Sequence, residues 1–447
     1  MAETGGLTGR QAEQAPDLPA PVLPAPGPVP GGPTPGPVRL ARRLRHLALA
    51  RDGRWLRVAV VAVGLAALTA YLLPGLLVSA AHWPMWDDQV YWWGGQQAAR
   101  GGALYAHGSR LLFTYPPFAA LAFATTAGAS IGVLKFAITA ASVVALAVLC
   151  GQSIGAAGLR RRPETVFALT ALALLTWPVA YTLYLGEINL ILAALIGSDL
   201  LRRRDGGWSQ GIGVGLAAGI KLTPLIFVVY LLLTRRYRAA ATAVGTFAAT
   251  VAAGFALLPS QSTMFWLDGV FYNQSRVGNT ANPSNQSLAG AVARLAGSTA
   301  AATAASRPWW VVAVLVTGVT GITIAAWAHR RGHRLAGVAC CAITGLLISP
   351  ISWTHHWVWA VPLLVALAVA AWQRRSFGLG LVAAAVTVVF CGHIPMLWPG
   401  HPPSTERLVT GDLYVLCALA VLAGTAVALT RERFGHGGRK RSSEQAR

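Results

Sequence analysis

The sequence predicts an all-α protein that passes many times through a membrane. Three observations carry this expectation. Only 11% of its 447 residues are charged, against roughly 25% in soluble domains. The apolar residues fall in long uncharged runs, such as Val58–Ala81 and Ala239–Leu258, and about 20 such residues cross a bilayer as a helix. Much of the net charge of +21 lies in short segments beside those runs: Arg42–Arg45, Arg51–Arg57, Arg235–Arg238, Arg330–Arg334, Arg374–Arg375 and Arg431–Arg447. Lys and Arg accumulate in this way on the cytoplasmic side of a membrane. In a soluble chain the same charge would point to nucleic acid. Here orientation accounts for it, so the lipid bilayer is the expected partner and nucleic acid is not.

Along the chain, residues 1–38 are rich in Pro, Gly and Ala ("PAPVLPAPGPVPGGPTPGP") and predict a disordered cytoplasmic tail. Residues 39–434 form the expected membrane domain, and 435–447 a basic cytoplasmic tail. The first span, about 57–80, exceeds the 7–15 residues of a signal-peptide core and reads as an anchor with its N-terminus inside. Further spans are expected at about 115–130, 132–151, 164–183, 187–201, 211–233, 238–258, 308–328, 335–353, 357–372, 377–395 and 412–430. That makes about twelve transmembrane helices, with both basic termini in the cytoplasm. The simple count leaves Arg160–Arg162 and Arg202–Arg204 on the outer face. Bringing them inside would require 115–151 to cross once and 211–233 to fold back as a hairpin. The expectation adopted is the simple count. Either path puts Ala81–Leu112 outside, and the simple count adds the long segment Pro259–Arg307.

The scarce polar residues near those outer segments carry the candidate chemistry. Only 15 residues are acidic, yet Asp87 and Asp88 are adjacent in "MWDDQVY", among Trp83, Trp86, Trp92 and Trp93. A carboxylate partly buried there would have a raised pKa and serve as a general base; a solvated loop beside an aromatic belt is the plainer reading. Thr114 and Tyr115 stand at the mouth of the helix opened by "TYPP". Glu187 and Asn189 interrupt an apolar run in "LYLGEINLILAALIG", and Lys221 interrupts another in "GVGLAAGIKLTPLIF". A lysine within a span costs about 2.5–3.5 kcal/mol on insertion scales. It demands an acid, a carbonyl or an anionic ligand: a structural pair with Glu187, or a lipid phosphate. Asn285 and Gln286 in "NTANPSNQSLAG" have the paired donors and acceptors that hold sugar hydroxyls, or cap helices. His355 and His356 in "SWTHHWVW" offer imidazoles for a phosphate among indoles for a sugar. A metal site there would need more ligands, and no metal is expected. The five cysteines lie in or beside apolar runs without metal-ligand spacing.

Six segments taken in order, "DDQVYWWGGQQAARGGALY", "FTYPPFAALAF", "LGEINLILAALIGSDL", "GLAAGIKLTPLIFVVYLLLTRR", "NQSLAGAVARL" and "SPISWTHHWVW", resemble glycosyltransferase family 87, the actinobacterial polyprenyl-phosphate-mannose-dependent alpha-(1→2)-mannosyltransferases. The resemblance implies a GT-C fold with its active site at the first outer loop. It implies a polyprenyl-phosphate-mannose donor and a mannoside, glycolipid or mannan acceptor in the cell envelope. No cofactor is implied. The family's Asp-x-x-(Val/Ile)-Tyr pattern falls on Asp87, Val90 and Tyr91, which makes Asp87 the implied base and Tyr91 a site residue. Asp88 stands where the family often has a non-acidic residue, and Glu187 where it often has Gln. Lys221, His355 and His356 are the cations available for the departing phosphate. Alternatives are a transferase using lipid-linked arabinofuranose, a lipid flippase and an assembly scaffold.

Overall fold

A computed structural model describes residues 54–77, 85–106, 111–202, 205–273, 276–297, 304–392 and 409–444. The expected tail at 1–38 lies outside them. By contacts the chain divides into 1–56 and 57–447; of the first unit only Arg54–Leu56, the start of a helix, is described.

The described elements are helical. In order they are α1 (Arg54–Leu77), α2 (Trp86–Arg100), α3 (Pro117–Ala124), α4 (Ile131–Ala156), α5 (Pro163–Leu174), α6 (Trp177–Leu185), α7 (Asn189–Leu200), α8 (Ile212–Ile220), α9 (Ile226–Leu233), α10 (Tyr237–Leu257) and α11 (Pro259–Trp266). Then follow α12 (Leu288–Leu295), α13 (Arg307–Arg330), α14 (Arg334–Ile348), a 3-10 turn (Thr354–Trp359), α15 (Ala360–Arg374), α16 (Phe377–Cys391) and α17 (Leu413–Glu444). α17 therefore runs through most of the stretch expected as a basic tail.

Local signals explain several boundaries. Ser130 caps α4 by accepting from the Val133 N–H, and Ser376 caps α16 by accepting from Leu379. Proline opens α3, α5 and α11, where a missing N–H costs little. Pro178, in the first turn of α6, has no N–H to continue α5, and the two helices bend by 77°.

Among the described residues, five helices are long and apolar enough to cross a membrane, or six if α5 and α6 count as one bent span. Shorter apolar helices accompany them: Trp55–Tyr71, Asn189–Leu200, Thr223–Leu233, Arg334–Ile348 and Phe377–Cys391.

The contacts sort the helix ends of residues 57–447 into two groups. At one end Arg236 pairs with Asp205 at 2.8 Å, Arg334 bonds both Asp205 and the Arg202 carbonyl, and Arg330 bonds the Leu233 carbonyl. His333, beside Arg334, shares Glu432 with Arg374. Gln152 donates to Ser198 at 2.7 Å, which sets the last turns of α4 and α7 level. Arg160–Arg162 and Arg202 thus emerge at the same end. Arg57 and Glu164, 3.9 Å apart, bring the starts of α1 and α5 there as well.

This arginine end corrects the simple count. α8 and α10 run side by side in the same direction: a Cβ on Gly211 would lie 2.2 Å from the Ala239 oxygen, and one on Gly215 2.5 Å from the Ala243 oxygen. Both helices therefore start at the arginine end, and 221–236 must turn back to it. The run at 211–233 is a hairpin with Lys221 at its tip. α3 stays at the opposite end, with Pro117 against Gly254 near the finish of α10. α4 alone carries 115–151 across. The expected spans at 115–130 and 211–233 do not run from end to end.

Glycine makes the hairpin possible, since nothing larger fits between α8 and α10. A Cβ on Gly219 would lie 2.3 Å from the Thr250 hydroxyl oxygen. Gly219→Leu should destabilise the protein by about 1–3 kcal/mol through overpacking. It should also displace Lys221, two residues on. A lowered thermal midpoint in detergent with lost activity is expected; an unchanged midpoint would contradict the close approach.

Candidate active site

The site forms where three chain reversals meet at the end opposite the arginines. The first is Gly186, which ends α6 in the left-handed region at φ 72°. A Cβ there would stand 2.8 Å from Asp88 Cβ and from Met85 Cε, so the start of α2 leans directly on this turn. The second is Lys221, extended at φ −145°, where α8 stops three residues before Pro224. The third is the 3-10 turn carrying His355 and His356.

Glu187 is the hub, with 1% of its surface exposed. Its Oε1 accepts from Lys221 Nζ at 2.7 Å and from the Tyr115 hydroxyl at 3.2 Å. Its Oε2 accepts from the Asn189 amide and lies 3.6 Å from His355 Nε2 and 3.9 Å from His356 Nε2. The Tyr91 hydroxyl meets that of Tyr115 at 3.0 Å. Tyr115 gives its proton to Glu187, so Tyr91 donates to Tyr115. Lys221 spends its remaining donors on Asn189 Oδ1 at 3.1 Å and His356 Nε2 at 3.3 Å. An ammonium only donates, so His356 Nε2 accepts and its proton sits on Nδ1. The His355 carbonyl accepts from Thr182 at 2.8 Å and from Asn189 at 3.1 Å, which pins the histidine turn to α6 and α7.

Asp87 is half-buried in the first turn of α2. Burial pushes its carboxyl up to about 8, the Glu187 charge adds to the rise, and Lys221 opposes it. Asp88 is fully buried, and neither oxygen has a hydrogen-bond partner among the described residues. Burial pushes it up to about 7 against the pull of Lys135. The doublet is thus divided: one carboxyl near the charged hub, the other facing the packed wall at Gly186.

The structure brings Tyr91, Tyr115, Glu187, Asn189, Lys221, His355 and His356 into one bonded cluster, with Asp87 in its field. Asn285 and Gln286 stand apart from it, fully buried and bonded to main chain. Asn285 donates to the Thr280 and Pro350 carbonyls and accepts from the Ser352 N–H at 2.8 Å. Gln286 donates to the Pro283 and Gly411 carbonyls and accepts from the Tyr414 N–H at 3.1 Å. The buried pair Arg294–Asp412 closes the same junction.

Adjacent histidines would diverge on an α-helix, yet here both reach Glu187. The ligand atoms of the three lie within 4.8 Å of one another, a metal-competent group. The Lys221 ammonium already bonds Glu187 and His356, so a divalent ion would have to displace it. Lys221 also lines a small cleft of about 50 Å³, shared with the polar Asn189, Ser352 and His356 and the apolar Leu192, Ile196, Ile226, Phe227 and Leu346.

Residues 113–350 match the model of glycosyltransferase family 87. The chain belongs to this family. A polyprenol-phosphate-mannose-dependent alpha-(1-2)-phosphatidylinositol mannoside mannosyltransferase of Mycolicibacterium smegmatis is 34% identical over 373 residues, covering 75% of this chain and 82% of its own. A protein of the same description from Mycobacterium tuberculosis is 31% identical over 395 residues, 80% of this chain and 90% of that one. The crystal structure of ArnT from Cupriavidus metallidurans bound to undecaprenyl phosphate superposes with a TM-score of 0.42 at 20% identity, over 86% of this chain and 73% of that one. The matched stretch of this family 87 glycosyltransferase contains Tyr115, Glu187, Asn189, Lys221, Asn285 and Gln286. Asp87 precedes it, and the His pair follows it by a few residues.

Sequence reasoning missed Thr182 and Tyr181, on the last turns of α6. Tyr181 packs edge-on against His355 at 5.5 Å. It also missed Tyr105, whose hydroxyl donates to the Tyr115 carbonyl at 2.9 Å, and Arg276, which donates to the Tyr105 carbonyl at 2.8 Å. The one available signal was Thr182, a hydroxyl inside an apolar run.

Removing one partner of a buried pair costs about 3–5 kcal/mol, because the other charge is left unpaired. Lys221→Met and Glu187→Gln should each lower stability strongly. The double variant should lose much less than the two losses combined. Unfolding midpoints of the four proteins in detergent measure this; additive losses would show that the pair does not couple.

Proposed function

We propose that this glycosyltransferase moves mannose from a polyprenyl-phosphate donor to a hydroxyl of a mannoside or glycolipid acceptor, with inversion, forming alpha-(1→2) links in envelope glycolipids. The observation that carries the reading is the position of Lys221. It lines a small, largely apolar cleft and its charge reaches Asp87, so a lipid-linked phosphate held there would bring its sugar toward a base. The names of the mycobacterial relatives, which specify this donor and a phosphatidylinositol mannoside acceptor, support the same choice.

In this reading the phosphate of the polyprenyl donor takes over the Lys221 contacts now made with Asn189 and His356. The acceptor hydroxyl approaches the anomeric carbon from the opposite side. As the new C–O bond forms, the bond to the phosphate oxygen breaks, and the hydroxyl proton passes to Asp87. Polyprenyl phosphate leaves carrying the added negative charge, and Lys221 with the histidines stabilises it. Glu187 keeps Lys221 extended and aimed. Tyr91 and Tyr115 hold Glu187 in turn, and buried Asp88 packs the start of α2 against the turn at Gly186. Asn285 and Gln286 act by tying the polar segment to the histidine turn.

Following the positive-inside bias, the arginine end and both termini are cytoplasmic and Asp87 faces outward. The path then has ten passages and one re-entrant hairpin on a GT-C type scaffold in the plasma membrane. Sugar nucleotides are absent from that outer face, which is why a lipid-linked donor is required.

The test is transfer from radiolabelled polyprenyl-phosphate mannose to a mannoside acceptor in membranes. General-base catalysis contributes typically 10²–10⁴-fold, so Asp87→Asn should lose about that much turnover while keeping donor binding. Asp88→Asn should retain activity. A flippase without a base would tolerate Asp87→Asn, and transfer only from lipid-linked arabinose would replace the donor assignment.

The pH dependence has a defined sign. Asp87 works as a base only when ionised, and its carboxyl sits at about 8. The rate should therefore rise through neutral pH and level off above about 8. Asp87→Asn should lose that limb. A flat profile in the wild type would rule out Asp87 as the titrating base.

A further inference from the structure

At the arginine end, away from the catalytic cluster, Arg57 of α1 and Arg160–Arg162 from the α4–α5 connection line a surface cavity of about 840 Å³ with Pro163 and Glu164. Four guanidiniums face a single carboxylate. Glu164 lies 3.9 Å from Arg57, a long contact with a side chain that is 63% exposed. Arg160, Arg161 and Arg162 make no side-chain hydrogen bond or ion pair with the described residues. Their position is built, however. The Arg161 guanidinium lies over buried Gly155 in the last turn of α4, where an added Cβ would stand 2.2 Å from its Nε.

A topological signal needs only positive charge near a span end. It does not need four guanidiniums from segments a hundred residues apart to converge on one cavity. Guanidinium forks match phosphate oxygens in bidentate fashion. Beside the cavity the surface is apolar: Val58 on α1 and Phe167 and Leu172 on α5 are exposed. A ligand with an anionic phosphate head and acyl chains meets both features, and a free anion meets only the first.

We propose that this cavity binds the phosphate headgroup of an anionic phospholipid, in the membrane leaflet opposite to the one facing Asp87. The bound lipid staples α1 to the start of α5, and through the bent α5–α6 pair it supports the turn at Gly186.

The experiment uses the full-length protein in neutral detergent, with mixed micelles of phosphatidylglycerol or phosphatidylcholine and, separately, inorganic phosphate. Binding is read by native mass spectrometry and by the thermal midpoint. Phosphatidylglycerol should bind and raise the midpoint, and phosphatidylcholine should do neither. The triple variant R160Q/R161Q/R162Q should bind phosphatidylglycerol at least tenfold more weakly. If that variant fails to fold, Arg161→Gln alone should weaken binding and Glu164→Gln should strengthen it. Equal binding of the two lipids, or phosphatidylglycerol binding insensitive to these substitutions, overturns the proposal. An equal midpoint shift from inorganic phosphate overturns the assignment to a lipid. None of these readouts involves sugar transfer, so they stand apart from the proposed function.

Discussion

A lysine ammonium placed inside an apolar helical bundle must be answered by an anion or by carbonyls, and here the answer is the 2.7 Å contact between Lys221 and Glu187. The rest of the site follows from that pair. Glu187 can reach Lys221 only because Gly186 adopts a left-handed turn and points the next side chain inward. Lys221 can reach Glu187 only because α8 stops short and the chain turns back. The second reversal removes the run at 211–233 from the set that could otherwise have run straight from end to end. The electrostatic requirement and the broken helices are one constraint seen twice.

Breaking helices at membrane depth exposes backbone groups that lipid cannot satisfy. The chain places its breaks where protein surrounds them. The His355 carbonyl is taken by Thr182 and Asn189, and the Lys221 N–H bonds the Ala217 carbonyl at 2.9 Å. Asp199, buried in α7, lends a carboxylate oxygen to the Val214 N–H at 2.9 Å, near the start of α8. The small residues of α8 then let α10 close over the hairpin. Polar satisfaction and tight glycine packing together allow a short hairpin to carry a charge into the interior.

Much of this was legible in the sequence, because single polar residues inside apolar runs are conspicuous. Glu187, Asn189 and Lys221 stood out for that reason, Asp87 as half of an acidic doublet and the histidines as a pair among indoles; the structure bonds them together except Asp87, which lies in their field. The path of the chain was harder to read. Residues 211–233 are apolar over a full span length, so hydropathy alone treats the hairpin as a crossing. The glycines that betray it serve equally well in a straight packed helix. The stranded Arg160–Arg162 and Arg202–Arg204 were the real signal, and a count of spans outweighed them. Asn285 and Gln286 drew attention for the opposite reason. Amides that could grip sugar hydroxyls can equally grip main chain, and only geometry distinguishes the two uses.

The arrangement also explains why two acids close together do not defeat each other. Glu187 is neutralised by a lysine and supplied with donors by Tyr115 and Asn189, so its negative charge is fully engaged. Among the described residues Asp87 has no such hydrogen-bond partner, and burial with the nearby Glu187 charge holds its carboxyl at about 8 against the pull of Lys221. The surroundings give the two acids different tasks: Glu187 spends its oxygens on Lys221, Tyr115 and Asn189, while burial leaves Asp87 able to take up a proton. In the proposed reaction the acid left able to take up a proton serves as the base, and the bonded one positions the lysine for the phosphate. Lys221 bonds one acid and its charge reaches the other, so the two tasks share a single cation.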